Sequence, residues 1–389
     1  MDLTKDEQAI LSGSSSEAAS KAMEILCAVG KIYGADRLIP VSSAQVAGVS
    51  YKTIGDAGLE FLEDFVKKGA KASVPSFLNP AGMDRQQWEK MGVPREFAAK
   101  QIAILQAYEA IGITSTCTCS PYHIGIRPKP GEHISWSESS AISFANSMLG
   151  ARTNRESAIS ALASAVTGKT PNFGLHLDEN RKAALLVKVE ARMEKITDYG
   201  AAGLAVGKIA KEKVPAFEGI PAKSSEEKMK SLGAAAAAAG SVALYYAKGT
   251  TPEYVLSENF ETATIEQKEI DEAKAKLQSA GSASLVAIGC PHCSLDEVKE
   301  IAERVKGKRL QFKLWVCTSG KIKEEAEKAG YSRAIEDAGG LVVADTCMVV
   351  APLKEMGFET TGVNSAKAAV YLPSFCGQRI RFADIGQLL

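Results

Sequence analysis

Hydrophobic and polar positions along this 389-residue chain first alternate between helical and strand patterns. Before residue 110, the helical stretches SEAASKAMEILCAVGKIYG and DAGLEFLEDFVKKGA are separated by short apolar runs, RLIPVSS and ASVPSFL. This alternation predicts an α/β region. A polar loop, TSTCTCSPYHIG, follows at 114–125, and the stretch SESSAISFANSML then predicts a helix that Gly150 ends.

The pattern between about 160 and 250 predicts a helical region. It includes the stretch GAAAAAAGSVALYYA, which is too short to cross a bilayer and is assigned to a buried helix. The charged segment IEQKEIDEAKAKLQSAGSA predicts a surface helix that leads into a second lobe. We therefore expect an N-terminal α/β and helical catalytic body at 1–280 and a C-terminal α/β lobe at 281–389.

The C-terminal lobe has the clearest alternation. The runs SLVAIGC, LQFKLWVC and GLVVADTC are short, apolar and rich in β-branched residues, and amphipathic helices such as SLDEVKEIAERVKG and GKIKEEAEKAG separate them. This order predicts a parallel sheet with helices on its faces. Cys290, Cys317 and Cys347 each close one predicted strand, and ligands bind at the carboxyl ends of such strands. We therefore expect the three thiols to face one crevice.

A capping box formed by Ser294 and Glu297 would place a helix N-terminus beside Cys290, where a thiolate is stabilised. One cysteine at a strand end commonly fills space as a small hydrophobe, but three together favour a common site. The CPHC motif is also half of a zinc knuckle. Only Cys117 and Cys119 offer a second pair, so zinc is a weaker interpretation than an iron–sulfur cluster held by thiolates from distant loops.

The segment GARTNRE has the composition of an anion site. Arg152 and Arg155 flank Thr153, whose spacing to Glu156 predicts a capping box that opens a helix. Helix-start amides and guanidinium groups together suit a carboxylate or a phosphate. A pair of surface arginines is equally compatible with this motif.

A second candidate anion site lies in TTGVNSAKAA. Asn364 or Ser365 predicts a helix cap, with Lys367 in the first turn of that helix. The amides of a helix start next to a lysine would also suit a phosphate. Here too a pair of ordinary surface residues is the alternative.

Charge and composition exclude several classes of protein. Lysine plus arginine and aspartate plus glutamate number 46 each, so the chain lacks the positive charge of nucleic-acid binders and membrane-surface proteins. The start MDLTKDEQAIL has no secretory pattern, and Thr4 with Glu7 predicts a capping box instead. We expect a soluble cytoplasmic protein whose eight cysteines are not paired in disulfides.

Several long motifs are distributed over nearly the whole chain. They are SAQVAGVSYKTIGDAG at 43–58, NPAGMD at 79–84, TCSPY at 118–122, GEHISWSESSAISFANSMLGARTNRES at 131–157, IGCPHCSLDEV at 288–298 and VVADTCMVVAP at 342–352. Together they resemble the aconitase X family, a divergent branch of the aconitase superfamily, and the motif that contains Arg152 is long and specific. The resemblance implies a multi-lobed, aconitase-like α/β architecture with parallel sheets flanked by helices and without the swivelling domain.

The resemblance implies an iron–sulfur-dependent hydro-lyase with three thiolate ligands, Cys119, Cys290 and Cys347. The cluster would be 4Fe-4S, or 3Fe-4S as isolated. Gln45 stands where the family motif has a histidine. The candidate substrate-binding residues lie in or near these motifs and at predicted helix starts, and they are Ser42, Ser43, Glu138, Ser139, Ser140, Arg152, Thr153, Asn154, Arg155, Ser319, Ser365 and Lys367.

The family has a fused form that carries a small swivelling domain and a split form in which that domain is a separate small subunit. This chain resembles the large subunit of the split form. The archaeal split type implies dehydration of mevalonate 5-phosphate to anhydromevalonate phosphate in isoprenoid biosynthesis, with the catalytic base on the small subunit. Dehydration of cis-3-hydroxy-L-proline, the reaction of the fused form, or of another hydroxy acid is the alternative. A non-catalytic iron–sulfur or zinc protein is the alternative from another class.

Overall fold

The computed structural model describes residues 1–389, and none of its helices has the length and apolar character needed to cross a membrane. The α-helices are α1 (Lys5–Leu11), α2 (Glu17–Ile32), α3 (Tyr51–Lys67), α4 (Trp88–Met91), α5 (Arg95–Ala110), α6 (Ser139–Met148), α7 (Ala158–Thr167), α8 (Ile196–Ala210), α9 (Glu226–Gly240), α10 (Gln267–Leu277), α11 (Leu295–Val305), α12 (Gly320–Lys328), α13 (Tyr331–Asp337), α14 (Ala366–Cys376) and α15 (Ile385–Leu388). The strands are β1 (Leu38–Pro40), β2 (Ala44–Val46), β3 (Ser76–Leu78), β4 (Ser135–Trp136), β5 (Lys169–Pro171), β6 (Ala183–Val189), β7 (Pro215–Glu218), β8 (Tyr246–Ala247), β9 (Leu256–Ile265), β10 (Leu285–Ile288), β11 (Lys313–Cys317), β12 (Gly340–Val343), β13 (Thr360–Val363) and β14 (Arg379–Phe382).

The first part of the chain is the predicted α/β region. Strands β2, β3 and β4 form a parallel sheet in the order β3-β2-β4, and a short antiparallel pair joins β1 to β5. Helices α2, α3, α5 and α7 supply much of one hydrophobic core. Helix α1 begins with the predicted capping box of Thr4 and Glu7. The helix predicted at 137–149 is α6, and Gly150 follows it with a positive φ of 70°.

The middle part contains a four-stranded parallel sheet with the order β8-β7-β6-β9. The expectation of a helical region up to residue 250 is therefore wrong in part. Two of its strands, β7 and β8, have only four and two residues, and the alanine-rich helices around them dominate the composition. The alanine-rich stretch forms helix α9 only as far as Gly240, because Ser241 takes a positive φ of 62° and the chain then continues to β8.

Small residues in the middle part let helices α8 and α9 approach closely. A Cβ atom on Gly203 would lie 2.2 Å from the carbonyl oxygen of Leu232, and one on Gly240 would lie 1.8 Å from that of Gly207. Neither distance is possible for a real Cβ atom, so these positions require glycine. The glycine and alanine content of this region therefore reflects helix packing.

The C-terminal part is the predicted parallel sheet with helices between its strands. The strand order is β12-β11-β10-β13-β14, and all four pairings are parallel. Helix α11 opens with the predicted capping box of Ser294 and Glu297. The predicted boundary near residue 280 falls in the segment between the end of α10 and the start of β10.

Candidate active site

The order of strands in the C-terminal sheet reverses at β10. The chain runs from β10 to β11 and β12 on one side, and then crosses to β13 and β14 on the other. In open α/β sheets, ligands bind outside the carboxyl ends of the strands at this kind of switch point. Cys290 follows β10 by two residues, and Ser365 follows β13 by two residues. The switch point therefore brings a cysteine to the start of helix α14.

A buried ion pair lies at this helix start. Lys367, in the first turn of α14, pairs with Glu138, which caps α6 by accepting the amide of Ala141 at 2.7 Å. The hydroxyl of Ser140 donates to the same carboxylate at 2.6 Å. The side chains of Lys367 and Glu138 are only 9% and 7% exposed.

Burial by itself would favour the neutral forms of both groups of this pair. The opposite charges outweigh that effect, so the pKa of Glu138 is lowered by Lys367 and the pKa of Lys367 is raised by Glu138. The thiols of Cys290 and Cys119 also raise the pKa of Lys367. The pair therefore stays ionised, and its positive end faces sulfur atoms.

Cys119, Cys290 and Cys347 gather around this lysine. Burial raises the pKa of all three thiols, to about 12 for Cys290, and the positive charge of Lys367 opposes that rise at each sulfur. Cys119 interacts electrostatically with both of the other thiols. We use the name switch-point crevice for the group formed by Cys119, Glu138, Cys290, Cys347, Ser365 and Lys367.

Each of the three sulfurs also has a neighbouring hydrogen-bond donor, and donors of this kind favour the thiolate form. The structure thus combines low polarity with a positive charge and local donors, which suits thiolates that bind a metal. The donors are the backbone N–H of His292 for Cys119 at 3.2 Å, the hydroxyl of Ser365 for Cys290, and the amides of Val349 and Val350 for Cys347.

Cys117 and Cys119 face different surroundings, although an extended segment would turn both to the same side. Cys117 has a positive φ of 42°, so the backbone changes direction between them. The Cys117 side chain packs into the N-terminal core, where burial and the charge of Asp345 raise its pKa. The two thiols therefore do not share a face.

Cys317 differs from the other two cysteines at strand ends. It is the last residue of β11 and is fully buried, and its carbonyl oxygen accepts the amide of Cys293 at 3.0 Å. Its thiol is within electrostatic reach of Cys347 and Cys290. Cys317 therefore belongs to the hydrophobic core that also contains Cys290.

Three thiolates supplied by separate loops suit an iron–sulfur cluster. No group of three or more His, Cys, Asp or Glu side chains converges on one metal-ion position. An iron–sulfur cluster takes its thiolates on separate iron atoms, so its ligands need not meet at one point. The buried hydroxyl of Tyr122 lies near the hydroxyl of Ser120 and within electrostatic reach of Cys119.

Two cavities adjoin the switch-point crevice. A narrow one of about 20 Å³ is lined by Cys290, Ser365 and Lys230. It shares Asn364 and several neighbours with a larger cavity of about 520 Å³ between the middle and C-terminal parts. The sulfur of Cys290 therefore lies near the larger cavity between the middle and C-terminal parts.

The arginine segment, residues 152–156, lies elsewhere in the fold. The predicted capping box of Thr153 and Glu156 is wrong, because helix α7 begins after Ser157, which forms the capping box with Ser160. Residues 152–156 instead run alongside strand β4, where Glu156 donates its amide to the Trp136 carbonyl. A strand partner therefore replaces the predicted helix start.

The two arginines of this segment have different environments. Arg152 is 14% exposed in its side chain and pairs with Glu253 at 2.9 Å and Asp178 at 3.2 Å. Arg155 is exposed at the edge of a cleft of about 640 Å³, and no carboxylate pairs with it. Arg155 therefore has a free guanidinium group, whereas Arg152 already has two anionic partners.

The other candidate substrate-binding residues make contacts within the protein. Thr153 and Asn154 are buried and use their side chains to bond Trp136, Phe173 and Leu175. The remaining serines are placed as follows: Ser42 is exposed and donates to the carbonyl of His133, Ser43 is buried and accepts from the indole of Trp136, Ser139 is half-buried beside Glu138, and Ser319 is buried as the cap of α12.

Lys230 and His292 belong to the same neighbourhood and were not predicted as site residues. Lys230 is buried and donates to the carbonyl of His292 at 3.0 Å and to Glu297 at 2.5 Å. The position of His292 inside the CPHC motif was the available signal. Sequence pattern alone favoured a hydrogen-bonded structural role for this histidine, and it gave no signal for a buried lysine in an alanine-rich helix.

Comparison with known proteins identifies the family of this chain. Models of the first, second and third domains of aconitase X match residues 1–179, 183–276 and 283–389. The crystal structure of the holo form of Thermococcus kodakaraensis aconitase X is similar over 100% of this chain and 99% of its own, with a TM-score of 0.94 and 48% identity. The chain belongs to the aconitase X family, as its motifs predicted.

Relatives within this family narrow the class further. The phosphomevalonate dehydratase large subunit of Methanocaldococcus jannaschii is 50% identical over 100% of this chain and 99% of its own length. That of Methanothermobacter thermautotrophicus is 51% identical over 96% of this chain and 94% of its own. The cis-3-hydroxy-L-proline dehydratase of Pseudomonas aeruginosa is 34% identical over 97% of this chain but only 68% of its own. The predicted multi-lobed fold and the assignment to the dehydratases are confirmed.

Proposed function

We propose that this chain is the large subunit of a phosphomevalonate dehydratase, which removes water from mevalonate 5-phosphate. The observation that carries the proposal is the switch-point crevice, where the buried thiols of Cys119 and Cys290 and the partly buried thiol of Cys347 interact electrostatically with the ion pair of Lys367 and Glu138. The matching relatives that cover both chains almost completely are named as large subunits of this enzyme. The proposed enzyme acts in the cytoplasm in isoprenoid biosynthesis.

Cys119, Cys290 and Cys347 would hold the 4Fe-4S cluster, and the fourth iron would remain without a protein thiolate. A bound cluster of this kind supplies a Lewis acid for the departing hydroxide. The protein contributes a low-polarity site with a fixed positive charge. Lys367 balances the negative charge of the thiolates, and Glu138 holds Lys367 in place by pairing with it.

Substrate recognition requires two anion holders, because mevalonate 5-phosphate has a carboxylate at one end and a phosphate at the other. The hydroxyl and helix-start amides at Ser365 form one holder, to which Lys367 adds positive charge while it remains paired with Glu138. Arg155 is assigned as the other because its guanidinium is free and exposed, although its segment lies outside the switch-point crevice. In this proposal Arg152, Thr153 and Asn154 fix the segment that carries Arg155, and Ser42, Ser43, Ser139, Ser140 and Ser319 contribute further polar groups.

A small swivelling-domain subunit completes the proposed active site. It closes over the switch-point crevice, excludes water and supplies the base that removes a proton next to the carboxylate. The carboxylate of Glu138 cannot readily serve as this base, because Lys367 pairs with it and lowers its pKa. The isolated chain is therefore expected to bind the cluster but to turn over slowly.

Anaerobic coexpression with a candidate small subunit tests this function. The purified complex should contain iron and acid-labile sulfide and should release water from mevalonate 5-phosphate. The large chain alone should retain the iron and sulfide without comparable turnover. Cis-3-hydroxy-L-proline is the control substrate, and a complex that dehydrates it while leaving mevalonate 5-phosphate unchanged would contradict the proposal.

A further inference from the structure

His292 is a buried residue with all of its polar atoms engaged. Its ring atom Nδ1 lies 3.1 Å from the hydroxyl oxygen of Thr118, and Nε2 lies 2.9 Å from the carbonyl oxygen of Thr346. Its backbone N–H donates to the sulfur of Cys119 at 3.2 Å, and its carbonyl oxygen accepts from Lys230 at 3.0 Å. A histidine that merely filled space would not need hydrogen-bond partners from three separate segments of the chain.

The partners of His292 fix the state and orientation of its ring. The carbonyl of Thr346 can only accept, so Nε2 carries the proton and donates it. Nδ1 is then an acceptor and receives the hydroxyl hydrogen of Thr118. That hydroxyl oxygen in turn accepts the backbone amide of Ser120 at 3.1 Å, so each of these hydrogen bonds has one donor and one acceptor.

The two ring contacts reach the residues that directly precede two proposed cluster ligands. Thr118 precedes Cys119, Thr346 precedes Cys347, and His292 itself follows Cys290 by two residues. One ring therefore bridges three loops that are far apart in the chain. We infer that His292 is a positioning residue that holds the loops of Cys119, Cys290 and Cys347 at a fixed mutual spacing before any cluster binds.

This inference rests on the proposed function for its biological meaning, although its structural content concerns the cluster-free protein. If His292 ties the loops together, removal of its ring should loosen two distant loops at once. If it only fills space, a ring of similar size should restore the structure. Residues 117–120 and 345–348 are therefore the segments to observe, because backbone bonds from Thr118 to Leu78 and from Cys347 to Ala81 report their opening.

The experiment compares three variants of the full chain in the cluster-free and cluster-loaded states. His292→Phe keeps a ring of similar size and removes both ring hydrogen bonds. Thr118→Val removes the Nδ1 contact together with the acceptor of the Ser120 amide, but it keeps the Nε2 contact to Thr346 and is the milder variant. His176→Phe is the matched control, because His176 is also a buried histidine, and its ring nitrogen contacts His133 instead of a cysteine loop.

In the cluster-free chain, His292→Phe should speed amide hydrogen exchange in both segments by at least about tenfold, while Thr118→Val should affect mainly 117–120. After anaerobic loading, His292→Phe should lose its iron–sulfur absorbance to a chelator at least about tenfold faster than the parent chain. Thr118→Val should give a smaller increase, and His176→Phe should match the parent in both measurements.

Unchanged exchange in both segments of His292→Phe, or of Thr118→Val should the first variant fail to fold, would overturn the inference. An equal increase in His176→Phe would also overturn it, since any buried histidine would then have the same effect. Failure of the parent chain to take up a cluster would refute the proposed function separately, because the exchange measurement does not require one.

Discussion

The switch-point crevice and the arginine segment both contain cations that the sequence predicts to bind an anion, but the cations of the two regions differ in burial and in their partners. In the switch-point crevice, Lys367 is buried, paired with Glu138 and surrounded by thiols. In the arginine segment, Arg155 is exposed and free, and Arg152 is partly buried and occupied. A buried cation without its partner destabilises a protein by about 3–5 kcal/mol, whereas an exposed pair contributes about 1 kcal/mol or less. Equal formal charges therefore imply very different roles.

The largest expected effect comes from the sulfur atoms that distinguish the switch-point crevice. Cys119→Ala, Cys290→Ala or Cys347→Ala should remove most of the iron–sulfur absorbance and the acid-labile sulfide of anaerobically purified protein. Cys117→Ala is the matched control for Cys119, because its thiol packs in the N-terminal core. Loss of the cluster in Cys117→Ala and its retention in Cys119→Ala would reverse the ligand assignment.

The next largest effect concerns the lysine that those sulfur atoms surround. Lys367→Met should lower kcat/KM of the complex by about a thousandfold, roughly 4 kcal/mol, because Glu138 would be left buried without a positively charged partner. Enzyme kinetics and iron analysis on the same preparation measure this. Lys323→Met is the control, since Lys323 is equally buried and pairs with Asp84 at 2.9 Å.

The control should lose stability while it keeps kcat/KM within about tenfold of the parent, because Lys323 does not contact the switch-point crevice. If Lys367→Met and Lys323→Met behave alike, the charge of Lys367 has no special role. The contrast between the two regions would then come from burial alone.

A smaller effect is expected from the free cation of the arginine segment. Arg155→Ala should leave iron content unchanged and lower kcat/KM about a hundredfold, roughly 2.7 kcal/mol of lost transition-state binding. Arg192→Ala is the control, because Arg192 is also exposed but lies outside the arginine segment and pairs with Glu194. If Arg155→Ala and Arg192→Ala have similar kinetics, Arg155 is an ordinary surface residue. Lys367 would then be the principal anion holder.

The sequence predicted the C-terminal sheet well because β10, β11 and β12 are apolar runs between clearly amphipathic helices. In the middle sheet, β7 and β8 were missed because they are very short and their flanking helices are rich in alanine, whereas the seven-residue apolar run of β6 was a signal that the helical interpretation overlooked. In the candidate site, the positions of cysteines at strand ends could be inferred from the pattern. The direction of the Cys117 side chain depends on one backbone angle, and the contact of Lys367 with Glu138 joins residues 229 positions apart, so local patterns specify neither.

The smallest expected effect concerns Glu156, the buried carboxyl group of the arginine segment. Burial raises the pKa of Glu156, although hydroxyl groups of Ser160 and Thr170 oppose the rise. In the unfolded chain, Glu156 loses its proton near the ordinary pKa of about 4.3, whereas the folded chain keeps that proton to a higher pH. The free energy of unfolding therefore decreases as the pH rises from about 4.3 through the raised pKa. Glu156→Gln removes that loss and should be more stable than the parent at pH 8 by about 1 kcal/mol.

The difference between Glu156→Gln and the parent should shrink as the pH is lowered to 5. Urea unfolding of the cluster-free chain at several pH values measures it, with Glu258→Gln as an exposed control that should show no such trend. A stabilisation that is independent of pH would mean that the glutamine improves packing and that the folded chain does not raise the pKa of the carboxyl. The arginine segment would then hold a buried carboxylate without a cost, and its contrast with the switch-point crevice would be weaker than the structure indicates.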